Sequence, residues 1–287
     1  MPSKEDSPAR FPIALTIAGF DPSGGAGVLA DAKTFAAFGF HALAAITSLT
    51  FQNRGHFFGA RHQSGENVRA QVIPLLDDYQ IVCAKIGMLP TREVVREVAQ
   101  LFRETDLPSP VLDPVMISTS GGRLIEEDAL ESLISELLPL ARLITPNIPE
   151  AERLTRARIT SEPEMREAAA MIRGLGARAV LIKGGHLGEQ EAGGRRQEAG
   201  SGSDDSAPTF RIEAIDLLDD EGKVTIFRGE RIPNAELHGS GCILSAAIAA
   251  GLGKGMTLED SVSTAKWFVL EAIRETALRS SRRAPEV

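Results

Sequence analysis

Residues 11–38 read FPIALTIAGFDPSGGAGVLADAKTFAAF, and the order of their three parts decides the fold. Residues 11–18 are nearly all apolar, as in a strand buried on both faces. Residues 19–27, GFDPSGGAG, carry too much glycine for a regular element. Residues 28–38 return to helical spacing, with Leu29, Phe35 and Phe38 as inward positions. The chain therefore begins strand, loop, helix. Working outward, the alternation recurs: strand-like 43–49, helical 67–76, strand-like 81–85, helical 91–102, strand-like 111–112, helical 126–138, then strands at 142–144 and 179–182. Strands alternating with helices predict right-handed crossovers, a parallel sheet and helices on both of its faces. The fold class is an α/β sandwich.

Beyond residue 182 the composition changes. Residues 188–209, GEQEAGGRRQEAGSGSDDSAPT, hold no large apolar side chain and cannot bury enough surface to order themselves, so a flexible loop is expected within the domain. Residues 210–218 and 223–227 flank a turn at 219–222 and predict a hairpin of antiparallel edge strands. Helices at 240–252 and 257–278 end the fold, the second opened by Thr257 with Asp260 three positions on. One domain over residues 11–278 is expected, with residues 1–10 and 279–287 frayed.

The 287 residues are enough to bury a substantial core without staples, and 43% apolar with 24% charged residues is a globular balance. Lys plus Arg number 31 against 39 Asp plus Glu, a net charge of −8 that is the wrong sign for an electrostatic nucleic-acid binder. No apolar run approaches the roughly 20 residues of a membrane span, and the opening MPSKEDSPARFP has no signal-peptide core, so a cytoplasmic protein is expected. Cys83 and Cys242 stand too far apart in sequence for a close-spaced metal pair, and His41, His56 and His62 offer no zinc spacing.

Ligands of open α/β sheets bind beyond the carboxyl ends of the strands. There the sequence places Gly19, Asp21, Gly24, Gly25 and Gly27, then Gln52 and Asn53, then Lys85, Gly87 and Met88. Asp113, Pro114 and Val115 follow, then Thr145, Pro146, Asn147 and Glu150, and finally Lys183 to His186. The sharpest element is His238-Gly239-Ser240-Gly241-Cys242, running directly into a helix of small residues. Glycines let such a backbone approach a ligand, and the orphan N–H groups with the helix dipole make an anion site suited to a phosphate in transfer. Cys242, in the first turn, would have its thiolate favoured by the same dipole and would serve as a base. On the residues alone GSGC reads equally as a tight turn with a buried cysteine, Asp113 as a cap and Glu150 as a first-turn acid. Lys183, at the end of a buried strand, asks for an anionic partner. Cys83, inside an apolar strand, reads as core.

Seven segments in order resemble the hydroxymethylpyrimidine and phosphomethylpyrimidine kinases of thiamine synthesis, within the ribokinase-like superfamily. They are ALTIAGFDPSGGAGVLADAKTFAAFG, FQN at 51–53, KIGML at 85–89, LDPVM at 112–116, LITPNIPEAE at 143–152, LIKGGHL at 181–187 and HGSGC at 238–242. The resemblance implies a three-layer α/β/α fold, commonly a homodimer, using ATP and Mg²⁺. It puts the pyrimidine against Gly19, Asp31, Gln52, Met88 and Val115. It puts Asp113, Asn147, Glu150 and Lys183 around the nucleotide phosphates, with Asp113 and Glu150 on Mg²⁺, and the catalytic group at Gly239, Ser240, Gly241, Cys242 and Lys183. Departures are Phe20, where Ser or Thr is usual, Glu236-Leu237, where the family carries Asn-Thr, and a longer 188–209 segment.

The implied activity is two successive transfers from ATP, first to the hydroxymethyl group of 4-amino-5-hydroxymethyl-2-methylpyrimidine and then to the resulting monophosphate. An alcohol must lose a proton as it attacks and a phosphate oxygen need not, so Cys242 is expected to matter more in the first. Two alternatives stand beside this: a pyridoxal kinase of the same branch, against which Gln52 argues, and a pyrimidine-binding module without catalysis, suggested by Leu237.

Overall fold

The computed structural model describes residues 11–53, 55–117, 121–185, 213–230, 232 and 237–281. The opening segment folds as read: β1 (Ile13–Phe20) is buried along almost its whole length, and α1 (Gly27–Ala37) returns antiparallel to it across the glycine loop. In α1 Phe35 is fully buried and Phe38, just past the helix, packs edge-on against Phe268. Leu29 is only half-buried, and Val28, Ala30, Asp31 and Thr34 take the inward face in its place.

The chain continues through β2 (His41–Gln52), β3 (Phe57–His62), α2 (Gly65–Asp78), β4 (Ile81–Ile86), α3 (Arg92–Glu104), β5 (Val111–Leu112) and α4 (Glu127–Ser132). The helix expected over 126–138 is regular only to Ser132; Leu133–Leu137 form a π-turn and Leu138–Leu140 a 3₁₀ turn. Pro139 lacks the N–H that regular winding would need and its ring crowds the preceding turn. Then come β6 (Leu143–Ile144), α5 (Ile148–Thr155), α6 (Glu162–Gly174), β7 (Ala179–Gly184), β8 (Glu213–Asp220), β9 (Lys223–Glu230), α7 (Ser240–Gly253) and α8 (Leu258–Ser281). Helices α5 and α6 fill a stretch that the sequence reading left unassigned. Helix α8 runs through Ser281, three residues past its expected end at 278, while the 188–209 loop lies outside the described residues.

The described strands form one sheet in the order β3-β2-β1-β4-β5-β6-β7-β8-β9. From β2 to β7 neighbours are parallel; β8 and β9 form the expected antiparallel hairpin at one edge. β3 is antiparallel at the other edge and was not read from the sequence, because FFGARH is exposed or half-buried throughout and shows no alternation. One apolar core packs α2 to α6 against one sheet face. The second packs α1, α7 and α8 against the opposite face. Helices α2, α3 and α6 each start on a side-chain cap: Ser64, Thr91 and Ser161 accept from the backbone N–H three residues on. None of the described helices is long and apolar enough to cross a membrane.

Candidate active site

Side chains alternate between the faces of a strand, and that alternation assembles the site. On the face covered by α1, α7 and α8, Ala14, Cys83, Val111, Leu143, Leu181 and Leu218 form an apolar row. Two positions along each strand from that row come Thr16, Lys85, Asp113, Thr145, Lys183 and Asp216. The register pairs Thr16 with Lys85 and Lys183 with Asp216. A polar tier therefore caps an apolar one, and the amino end of α7 lies over it.

That end is brought close by two glycines in the left-handed region, Gly27 (φ 59°) and Gly239 (φ 77°). A Cβ on Gly239 would fall 2.0 Å from the Gly25 carbonyl oxygen, and one on Gly27 2.1 Å from that of Gly19. The first-strand loop and the start of α7 thus meet backbone to backbone at Gly25 and Gly239. Asp21 ties them further: its carboxylate accepts from Ser23 N–H and Oγ, Ala26 N–H and His238 Nε2, at 2.9 to 3.0 Å. Burial works to raise the Asp21 carboxyl, but these hydrogen bonds outweigh it and hold it below its usual range. His238 and Asp21 were not assigned a role from the sequence, since their pairing spans most of the chain.

Beneath α7 opens a cavity of about 920 Å³. At one end Gly19, Gln52, Met88 and Val115 line it; at the other stand Asn147, Glu150 and Lys183, with Asp113, Gly239, Ser240, Gly241 and Cys242 between. The amides of Gly241 and Cys242 fall in the first turn of α7, whose first intrahelical bond is donated by Ile243 N–H to Gly239. Lys183 Nζ donates to Asp113 Oδ1 at 3.1 Å, and Thr145 Oγ1 donates to the same oxygen at 3.1 Å. Burial alone would favour the neutral forms; instead Lys183 is raised by Asp113 and Glu150, and Asp113 is lowered by Lys183 and Lys85. Glu150 and Asn147 form a capping box at the start of α5, and burial pushes the Glu150 carboxyl up to about 7 with Asp113 adding to the effect.

Two expectations need correction. Asp31 does not line the cavity: it is fully buried, its oxygens accepting from Lys85 Nζ at 2.8 and 2.9 Å and from Thr16 Oγ1 at 2.6 Å, so its carboxylate is turned to Lys85 and Thr16 and not to the cavity. Nor does the helix dipole lower the Cys242 thiol. Burial pushes it up to about 11, and the pull of Lys85 and of a hydrogen bond from Gly27 N–H offsets this only in part. Cys242 is half-buried at the cavity wall, yet the packing around its sulfur opposes a charge there more than the start of the helix favours one. Of the departures, Leu237 lines the cavity and its carbonyl accepts from Ser240 N–H.

Asp113 and Glu150 line the cavity beside Lys183, and among the described residues no group of three or more metal-ligating side chains is present. Mg²⁺ is commonly held by one or two carboxylates, its remaining positions filled by water and substrate phosphate, and that donor set fits.

A family described as phosphomethylpyrimidine kinase matches residues 21–285. A Streptomyces coelicolor protein named hydroxymethylpyrimidine/phosphomethylpyrimidine kinase is 40% identical over 266 residues, 93% of this chain and 90% of its own. The crystal structure of a Clostridium difficile phosphomethylpyrimidine kinase superposes with a TM-score of 0.74 at 34% identity, covering 91% of this chain and 99% of that one. A Staphylococcus aureus pyridoxal kinase in complex with AMP-PCP gives 0.77 at 28% identity, over 92% and 88%. With seven motifs in register along a ribokinase-like sheet and one cavity joining the loops that carry them, the chain belongs to the phosphomethylpyrimidine kinase family.

Proposed function

We propose that this kinase transfers the γ-phosphoryl of ATP to the hydroxymethyl oxygen of 4-amino-5-hydroxymethyl-2-methylpyrimidine and then, from a second ATP, to the monophosphate, giving the diphosphate for thiamine synthesis. The observation that carries the reading is the continuity of the cavity from the Gly19–Met88 end to the Lys183–Asn147 end, with the start of α7 between them. A flat ring fits between Met88 and Val115, and Gln52 offers both a donor and an acceptor to an aminopyrimidine edge. Met88 is fixed from behind, its carbonyl accepting from Thr47 Oγ1 at 2.6 Å.

In the first transfer the hydroxymethyl oxygen attacks the γ-phosphorus, its proton passes to the Cys242 thiolate, and the bond to the β-γ bridging oxygen breaks to release ADP. The Gly241 and Cys242 amides stabilise charge on the transferring group and Lys183 neutralises the phosphates. In the second transfer the attacking oxygen is already ionised, and positioning dominates. Asp113 and Glu150 would hold Mg²⁺, which supplies charge neutralisation on the phosphate oxygens when bound.

A homodimer is supported by the β3 edge, where Phe58 is 71% and neighbouring Phe51 49% exposed; light scattering after gel filtration tests it. A single domain over 11–278 is supported by the continuous sheet. The cytoplasm is the expected compartment.

Coupled ADP release with Mg²⁺ and each acceptor in turn tests the activity. Turnover with the hydroxymethylpyrimidine and with its monophosphate is expected; binding without ADP release would turn the reading to a pyrimidine-binding module. Pyridoxal is the necessary third acceptor, given the fold shared with the S. aureus enzyme. Faster turnover of pyridoxal than of the pyrimidine would overturn the assignment.

A further inference from the structure

Lys85 stands near the carboxyl end of β4 and carries none of the roles given above. It is fully buried, and it and Cys242 line the same cavity under α7. Its Nζ donates to both oxygens of Asp31, and Thr16, its register partner on β1, donates to Asp31 as well. Room for the ammonium depends on Gly87, where a Cβ would come within 2.8 Å of Nζ and 3.0 Å of Ala18 Cβ. Burial works against charge on both groups and raises the Asp31 carboxyl, but Asp31 holds the Lys85 ammonium above its usual range, and the contacts of Lys85 and Thr16 with both carboxyl oxygens fit an ionised pair.

As a stabilising device such a pair has little to recommend it, because apolar residues of like volume do as well or better in a core. Its place suggests another role. The sheet presents two ammonium groups under α7, each with its own carboxylate: Lys183 with Asp113 toward the nucleotide end, Lys85 with Asp31 toward the acceptor end. The charged groups acting on Cys242 are Lys85 from β4, Asp31 from α1, Asp113 just past β5 and Lys183 from β7.

We infer that Lys85, locked in place by Asp31, is a positioning residue for the first transfer, its ammonium the fixed counter-charge for negative charge on Cys242 Sγ. The inference rests on the proposed role of Cys242 as base. Lys85 acts by making the thiolate attainable, and Asp31 sets how much of its charge the sulfur feels. Removing the ammonium therefore hinders the thiolate, and removing only the carboxylate favours it.

The test reads the thiol in the unliganded protein, by iodoacetamide alkylation followed by mass mapping. Cys83, the other cysteine, lies in the core and serves as the internal control. In the charge-balanced variant Asp31→Asn/Lys85→Met, alkylation of Cys242 is expected to slow at least tenfold at fixed pH, with its pH midpoint moved upward. The first transfer should fall by a similar factor while the second and the KM for ATP stay within threefold. The nearly isosteric Asp31→Asn alone is expected to speed alkylation. A folded double variant with wild-type alkylation and first-transfer rate would overturn the inference, and so would an unchanged or slower thiol in Asp31→Asn, which decides the matter if the double variant does not fold. Absence of pyrimidine kinase activity in the wild-type protein would leave the alkylation arms standing and remove only the proposed function.

Discussion

Replacing Gly239 by Ala perturbs one carbon at the point where two chain segments meet. Gly239 has φ 77°, a conformation that costs an L-residue roughly 1–2 kcal/mol. Its added Cβ would stand 2.0 Å from Gly25 O and 2.9 Å from Ala26 Cα, both backbone atoms. A β-carbon has no rotamer through which to escape. The first-strand loop and the start of α7 must part by about 1 Å before the contact becomes tolerable. That displacement carries the Gly241 and Cys242 amides away from the transferring phosphoryl, and misplacement on this scale costs roughly 10²-fold in rate. The expected result is kcat/KM lowered roughly 10²-fold with both the alcohol and the monophosphate acceptor, and Tm lowered by about 2–8 °C. Coupled ADP release and differential scanning fluorimetry measure the two. Gly174→Ala is the control, since a Cβ there meets nothing within 4 Å; it should leave activity intact and stabilise by about 0.5–1 kcal/mol. A Gly239→Ala enzyme within threefold of wild type, or one that lost only one acceptor, would refute the claim that backbone contact sets the phosphate-facing amides.

Cys242→Ala is expected to slow the first transfer by roughly 10²–10⁴-fold and the second far less; equal loss with both acceptors would remove the base assignment. Because burial pushes the Cys242 thiol up to about 11, its thiolate fraction should rise about tenfold per pH unit between pH 7 and 9. The first-transfer rate should climb with it, while the second stays flat in a stopped assay across that range. Asp21→Asn should cost about 1–2 kcal/mol at pH 7. The native Asp21 pKa lies below its ordinary value of 3.8, so the benefit is full above that value and fades as pH falls through the native pKa. Urea midpoints of the two proteins should therefore converge as pH is taken well below 3.8. Lys183→Ala should raise the KM for ATP and leave pyrimidine binding within threefold, which equilibrium dialysis of the pyrimidine checks; equal loss of both would contradict its place at the nucleotide end of the cavity.

Local pattern alone was sufficient for the strand-loop-helix opening, the short strand at 111–112, the β8–β9 hairpin and the start of α7 at Ser240, because buried strands and helix starts announce themselves in neighbouring residues. The Thr257 cap, with Asp260 N–H donating to its hydroxyl at 3.1 Å, was legible for the same reason. Edge strand β3 was not, since half-exposed residues lack periodicity, and the π-turn at Leu133–Leu137 depends on how a proline is accommodated against the core. The residues that line the cavity were legible as polar positions after apolar runs. What they do to one another was not. Whether Asp31 faces a ligand or a buried lysine, whether the thiol at a helix start is pushed up or down, and that Asp21 binds His238 across the fold are set by burial and by distances between remote segments. Electrostatics in a dry site depends on the full three-dimensional set of charges, and sequence order carries almost none of it.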